Sequence, residues 1–144
     1  MQRNTVLLVV FSLFPTLAIA ETAGKAQTAC PVSGKAINKK VFVDFQGQRV
    51  YFCCPRCPDA FRQDPERYFA QFDREGIVLE NIQSHCPVSG EQLGEHGEPA
   101  VIRFKGRTVK FCCPACEKPF RAEPEKYLNA MPGEQSKGET KGRA

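Results

Sequence analysis

The 144-residue sequence predicts an α+β protein made of two small modules in tandem, each a β-hairpin followed by short helices. Three observations predict this fold. A pattern that contains four cysteines occurs twice in the chain. In each copy, two runs rich in β-branched and aromatic residues are separated by a turn that contains glycine. Each cysteine cluster then leads into segments that begin with proline, a residue typical of the first turn of a helix.

The duplication is visible when the chain is aligned with itself. Residues 30–34 and 86–90 both read CPVSG, and FCCPRC at 52–57 matches FCCPAC at 111–116. The offset between the copies grows from 56 to 59 residues, so the second copy contains three additional residues. An internal repeat of this kind indicates one structural unit used twice. We predict module 1 at residues 30–72, a linker at 73–85 and module 2 at 86–131.

Each module is expected to contain the same elements in the same order. Asp64 followed by Pro65 is a typical helix start, because aspartate caps the free amides of the first turn. The predicted strands are residues 41–45, 49–52, 100–104 and 108–111, and the predicted helices of module 1 are 55–63 and about 65–72. The aromatic residues expected in the cores are Phe45, Phe52, Phe61, Tyr68, Phe104, Phe111, Phe120 and Tyr127.

The two ends of the chain are predicted to lie outside the modules. An apolar run that ends near Pro15 and the small-x-small triplet at 18–20 indicate a signal peptide over residues 1–20. We expect a flexible segment at 21–29 and a disordered tail at 132–144, because neither contains enough apolar side chains to remain ordered. The signal places the protein in the periplasm or outside the cell, where cysteines can be oxidised.

Composition and charge exclude several classes of function. The net charge of +4 is too small for an electrostatic case for nucleic-acid binding. The apolar run near the N-terminus is too short for a membrane anchor, so we expect no membrane span in the mature chain. No serine–histidine–aspartate set, glycine-rich phosphate loop or paired-carboxylate cleft is present, and we expect no enzymatic activity.

The cysteines are needed because a unit of about 43 residues is too small to be held together by apolar packing alone. Two disulfides or one metal ion bound by thiolates would stabilise it, and the Cys-x-x-Cys spacing at a strand-to-helix corner favours the metal. Adjacent residues on an extended chain point to opposite faces, so one of Cys53 and Cys54 is expected to be a core residue. The candidate ligands are Cys30, Cys53, Cys54, Cys57, Cys86, Cys112, Cys113 and Cys116. His85 and His96 are expected at the surface.

The spacing of Cys30, Cys53 and Cys57 resembles the TRASH motif, a cysteine module of heavy-metal trafficking, resistance and sensing. The run from Gly47 through the cysteines to Tyr68 also resembles the related YHS domain. The resemblance implies a treble-clef-like zinc-finger fold and metal binding without a catalytic step. Many relatives carry a second cysteine near the start of the module, where this chain has Ser33 and Ser89.

The expected function is therefore extracytoplasmic binding or transfer of a soft or borderline ion, zinc or copper(I), with about one ion per module. Its partners would be a metal donor or acceptor, such as a membrane transport protein, in heavy-metal homeostasis. Two alternatives stay open. The even number of cysteines also fits a disulfide-stapled interaction domain without metal. The Cys-Pro-x-Cys pairs also fit a thiol–disulfide redox protein.

Overall fold

The computed structural model describes residues 24–134, and it is a mixed structure of short strands and helices. The predicted signal peptide and residues 135–144 of the predicted tail lie outside the described residues. In chain order the elements are β1 (Lys25–Ala26), β2 (Asn38–Phe45), β3 (Gln48–Phe52), α1 (Cys57–Gln63), α2 (Pro65–Glu75), β4 (Ile77–Val78), β5 (Glu80–Asn81), β6 (Ala100–Phe104), β7 (Arg107–Phe111), a 3₁₀ turn (Pro114–Cys116), α3 (Glu117–Ala122) and α4 (Pro124–Leu128).

Both predicted hairpins are present. Strands β2 and β3 pair antiparallel with Val43 opposite Val50, and β6 and β7 pair with Ile102 opposite Val109. Each hairpin closes through two residues with positive φ, Gln46–Gly47 in module 1 and 105–106 in module 2. Two consecutive residues of positive φ form the type I′ turn, whose twist matches that of paired strands.

The helices depend on how their ends are capped. The Asp64 carboxylate accepts a hydrogen bond from the Arg67 amide at 3.2 Å, as expected for an N-cap, and Pro65 occupies the first helical position. Helix α2 continues to Glu75, three residues beyond the predicted end, because Gly76 provides the left-handed C-cap at φ 67°. The equivalent α4 has Glu123 at its N-cap without a side-chain cap bond, and it ends at Leu128.

Each module has a buried core on one face of its hairpin. In module 1 the rings of Phe45, Phe61 and Phe69 contact one another with centroids 5.5–5.9 Å apart. In module 2, Phe120 packs edge-on against Phe111 at 5.3 Å. Of the eight predicted core aromatics, six are buried, whereas Phe104 and Tyr127 are half-buried beside their core.

Segments that we expected to be flexible or to serve as linkers are added to the edges of module 1. Strand β1 pairs in parallel with β4, and β5 pairs with β3. Glu134, expected in the disordered tail, forms a bridge with Phe45. The edges of a short hairpin present unpaired amides and carbonyls, and β5 and Glu134 pair with some of them, whereas β1 and β4 form a separate two-stranded sheet.

The two modules pack on each other through equivalent hairpin residues. The Gln48 side chain of module 1 donates to the Thr108 carbonyl at 2.8 Å and accepts from the Thr108 amide at 3.2 Å. Arg107, at the matching position of module 2, is fully buried, lies 3.7 Å above the Phe69 ring and pairs with Glu66. The modules therefore share one interface. Within residues 24–134, no helix is long and apolar enough to cross a membrane.

Candidate metal centre

The structure brings three cysteines of each copy together. The Sγ atoms of Cys30, Cys53 and Cys57 all lie within 4.8 Å of one another, and the Sγ atoms of Cys86, Cys112 and Cys116 do the same. In each trio the first and third cysteines are buried and the second is half-buried. Three convergent sulfur atoms at a protected corner are a donor set suited to a soft or borderline metal ion.

Three different elements of module 1 supply these sulfurs. Cys53 directly follows β3 and Cys57 is the first residue of α1, so the strand-to-helix corner sets both. Cys30 arrives from a tight loop in which its amide donates to the Lys35 carbonyl at 2.7 Å and its carbonyl accepts from the Gly34 amide at 2.8 Å. Gly34 has φ 71°, the left-handed conformation that glycine adopts without strain.

The same loop is repeated in module 2. The Cys86 amide donates to the Glu91 carbonyl at 2.8 Å, and its carbonyl accepts from the Gly90 amide at 2.9 Å. The CPVSG block is therefore a structural unit that presents a buried thiol at a fixed place. Its repetition explains why two clusters of the same shape form although the second copy contains three additional residues between Cys86 and Cys112.

The sulfur separations already approach those of a metal site. Cys53 and Cys57 have Sγ atoms 3.6 Å apart, and Cys112 and Cys116 have theirs 3.7 Å apart. With metal–sulfur bonds of about 2.3 Å, tetrahedral thiolates lie about 3.8 Å from each other. This pair of sulfurs in each module is therefore already spaced as two ligands of one ion would be.

Cys54 and Cys113 stand beside the clusters and are not members of the three-sulfur groups. Their Sγ atoms lie 3.4 Å from Cys57 and 3.7 Å from Cys116, respectively. All eight cysteines are free thiols, and both of these are half-buried. The sequence left open which cysteine of each adjacent pair would join the cluster. The geometry favours Cys53 and Cys112, because these are the members of each pair that belong to the three-sulfur groups.

The electrostatics of the thiols differ from member to member. Burial disfavours the Cys30 thiolate, but hydrogen bonds from Ser33 and from backbone amides outweigh it and lower the pKa of Cys30 to about 7. The pKa of Cys86 is lowered to about 7 in the same way, with Ser89 as the donor. Burial and neighbouring thiols raise the pKa of Cys57 to about 12, so this proton leaves when a cation replaces it.

The serines that replace the second cysteine of many relatives contact the clusters. Ser33 Oγ lies 3.1 Å from Cys53 Sγ, and Ser89 Oγ lies 3.2 Å from Cys112 Sγ. The sequence identified both serines as departures from the family pattern but did not place them against the sulfurs. Their position inside the repeated CPVSG block, three residues after a cysteine, was the available signal.

The two histidines lie outside both three-sulfur groups, and both are exposed, as predicted. His85 Nδ1 is 2.8 Å from Ser84 Oγ. His96 Nε2 is 4.0 Å from a carboxylate oxygen of Glu91, a residue that the sequence reasoning did not select.

Sequence reasoning also missed a pair of glutamines that hold the hairpins. Gln27 accepts from the Tyr51 amide at 2.9 Å and donates to its carbonyl at 2.7 Å. Gln83 makes the same two bonds with Lys110, at 2.9 and 3.3 Å. Gln27 and Gln83 are separated by the same 56 residues as the CPVSG blocks, so extending the alignment three residues upstream reveals the pair.

Comparison with known proteins supports the resemblance of the first module to the YHS domain. No curated protein and no solved structure matches the chain significantly. The family model of the YHS domain matches residues 29–71. The first module thus matches the YHS domain, a cysteine-rich metal-binding family, and the second module repeats its cysteine cluster.

Proposed function

We propose that this chain is an extracytoplasmic protein that binds zinc or copper(I), one ion per module, and holds it or passes it to another protein. The observation that carries the proposal is the repetition of one three-sulfur cluster in two units of the same fold. If the duplicated residues served only to form a hydrophobic core, apolar side chains at the matched positions would be sufficient, and cysteines would not be needed. Duplicated convergent thiols, in modules that small cores stabilise poorly, favour an ion in each.

The proposed ligands of module 1 are Cys30, Cys53 and Cys57, and those of module 2 are Cys86, Cys112 and Cys116. The loop, the strand end and the helix start then enclose the ion in a treble-clef-like zinc-finger arrangement. A bound ion would supply the cross-link that ties these three segments together. No catalytic step is proposed for either site.

Three protein ligands leave a coordination position open, which favours exchange over permanent storage. Cys54 and Cys113 stand next to these sites with half-buried sulfurs. In the absence of an ion, hydrogen bonds from the Arg56 amide and from Cys57 lower the pKa of Cys54, which favours its thiolate form beside the site. The proposed partners are a metal donor or acceptor, including a membrane transport protein, reached in the periplasm or outside the cell.

The experiment is elemental analysis, with free-thiol titration, of the protein purified without oxygen. We expect about two ions per chain, and Cys57→Ser and Cys116→Ser should each remove about one. The matched controls are Cys54→Ser and Cys113→Ser, which alter the neighbouring thiols outside the clusters and should retain both ions. Alkylation of the loaded protein at pH 7 should modify Cys54 and Cys113 first, because the six clustered thiols are protected by the ion.

Several results would contradict the proposal. If the protein carries no metal and its thiols are cross-linked, the disulfide-stapled alternative is correct. If Cys57→Ser and Cys116→Ser both keep the stoichiometry of the unaltered protein, the ligand assignment is wrong.

A further inference from the structure

The two clusters have the same sulfur atoms, but the loops that follow their first cysteines carry opposite charge. The loop and strand that follow Cys30 carry Lys35, Lys39 and Lys40, whereas the segment after Cys86 carries Glu91, Glu95 and Glu98. The residue between the cysteines of the Cys-Pro-x-Cys pair is Arg56 in module 1 and Ala115 in module 2. All of these side chains are exposed, so none is fixed by a role in the core.

Among the described residues of module 2, Glu91 is the one of these that contacts a neighbour of the cluster, and its carboxylate lies just outside the three-sulfur group. Ser89 Oγ donates to Glu91 Oε2 at 3.3 Å and lies 3.2 Å from Cys112 Sγ, so the carboxylate is one hydroxyl away from the sulfur. The other oxygen, Oε1, faces His96 Nε2 at 4.0 Å. The carboxylate is therefore held beside the half-buried, outer side of the three-sulfur group.

Module 1 has Lys35 at the position equivalent to Glu91. Its amide donates to Ser33 Oγ at 3.4 Å, as the Glu91 amide does to Ser89 Oγ at 3.3 Å, so the two loops follow the same path. An ammonium group has no lone pair to offer a metal ion. A carboxylate oxygen, in contrast, is an established zinc ligand.

Charge decides which ion each environment favours. Three thiolates and a monovalent cation carry a net charge of −2, which the cations of module 1 stabilise. A divalent cation gains more than a monovalent one from each added negative charge, and module 2 supplies such charges. Four-coordinate zinc also needs a fourth donor, whereas copper(I) is satisfied by soft sulfur ligands in smaller number.

We propose that the two modules are specialised for ions of different charge. Module 1 binds monovalent copper(I) on three thiolates, and module 2 binds divalent zinc on three thiolates with Glu91 as the fourth ligand. This inference rests on the proposed function, since it requires that both clusters bind metal. It adds a ligand outside the cysteine pattern and assigns a separate ion to each site.

The test uses the full chain with one cluster disabled at a time, Cys57→Ser to read module 2 and Cys116→Ser to read module 1. Zinc and copper(I) affinities are measured by competition with chromophoric chelators, and cobalt(II), which reports coordination through its visible absorption bands, replaces zinc in parallel samples. We expect the ratio of zinc affinity to copper(I) affinity to be at least about 10-fold higher in module 2 than in module 1.

Glu91→Gln then removes the charge while keeping the size of the side chain. It should weaken zinc binding by module 2 roughly 10–100-fold and shift the cobalt bands, with copper(I) affinity changed less than about 3-fold. Glu95→Gln, a nearby exposed carboxylate, is the matched control and should leave zinc affinity within about 3-fold. The reciprocal Lys35→Glu should raise the zinc affinity of module 1 about 10-fold.

The outcomes separate this inference from the proposed function. If the ratio of zinc affinity to copper(I) affinity is the same in both modules, the specialisation is refuted while metal binding stands. The same holds if Glu91→Gln leaves the zinc affinity and the cobalt bands unchanged. If neither module binds zinc, copper(I) or cobalt(II), both proposals fall together.

Discussion

In each module, a serine hydroxyl stands beside the three-sulfur cluster at the position where many relatives have a further cysteine. Ser33 and Ser89 stand 3.1 and 3.2 Å from the half-buried sulfur of their module, on the side where the cluster faces solvent. A hydroxyl at this place is a weaker ligand for a soft ion than the sulfur of a cysteine would be. Each cluster therefore has three sulfur donors and no fourth one at this position.

Replacement of Ser33 by cysteine should close the first site. Ser33→Cys places a fourth sulfur at the edge of the cluster, so we expect zinc to bind module 1 at least about 10-fold more tightly and to exchange more slowly. Cobalt(II) bound to module 1 should show thiolate charge-transfer absorption increased by about one third, as expected for four sulfurs in place of three. Ser33→Ala is the control, and it should not raise the affinity. Unchanged zinc affinity in Ser33→Cys would show that the side chain points away from the ion.

The hairpins could be predicted from residue types and their order, because a two-residue turn between strands is compatible with few residue types. The glycine at position 47, between two β-branched and aromatic runs, predicted the turn, and Gly106 did so in module 2. A Cβ at Gly106 would lie 2.1 Å from the Phe69 carbonyl oxygen, so this glycine also permits the modules to approach. That second role could not be predicted, because it depends on a contact between residues distant in sequence.

The short added strands could not be predicted either. Strands β1, β4 and β5 have two residues each, which is too short for a periodic pattern to be recognised. Strand β5 forms by pairing with β3, and β1 and β4 form by pairing with each other, so all three depend on partners that are distant in sequence. The hydrogen bonds of Gln27 and Gln83 were unpredictable for the same reason. Each side-chain amide pairs with the backbone of a strand, as a neighbouring strand would, and leaves no periodic pattern in the sequence.

The capping of α2 provides a direct test of how the helices are stabilised. Asp64→Ala removes the carboxylate that accepts the Arg67 amide, and we expect a loss of about 1 kcal/mol in the free energy of unfolding. Glu123→Ala, at the matching position of module 2, is the control and should cost less than about 0.5 kcal/mol, because no side-chain cap bond is present there. Urea denaturation at constant metal loading measures both. Equal losses in the two variants would show that the Asp64 cap bond contributes nothing.

The interface makes the chain more than two independent fingers. Gln48 and Arg107 occupy equivalent places, and each contacts the other module from its own hairpin. The Gln46 side chain, in the turn of module 1, also donates to Asn129 Oδ1 of module 2 at 3.0 Å. Glu134, in the segment after module 2, also pairs with Arg62 of module 1 at 2.7 Å. The duplicated cysteine pattern predicted two modules but not their contact, because the residues that form it differ between the copies.

Arg107 should therefore couple the unfolding of the two modules. Its guanidinium is fully buried above Phe69 and pairs with Glu66, which is half exposed, so the stacking contributes more than the ion pair. We expect Arg107→Ala to lower the free energy of unfolding by about 2–3 kcal/mol. It should also split a single denaturation transition into two, since the contact between the modules is then weakened. Calorimetry of the metal-loaded protein measures this change.

The control is Arg121→Ala at an exposed position, and its free energy of unfolding should lie within about 0.5 kcal/mol of that of the unaltered chain. A single transition at an unchanged midpoint in Arg107→Ala would show that this contact does not couple the unfolding of the modules.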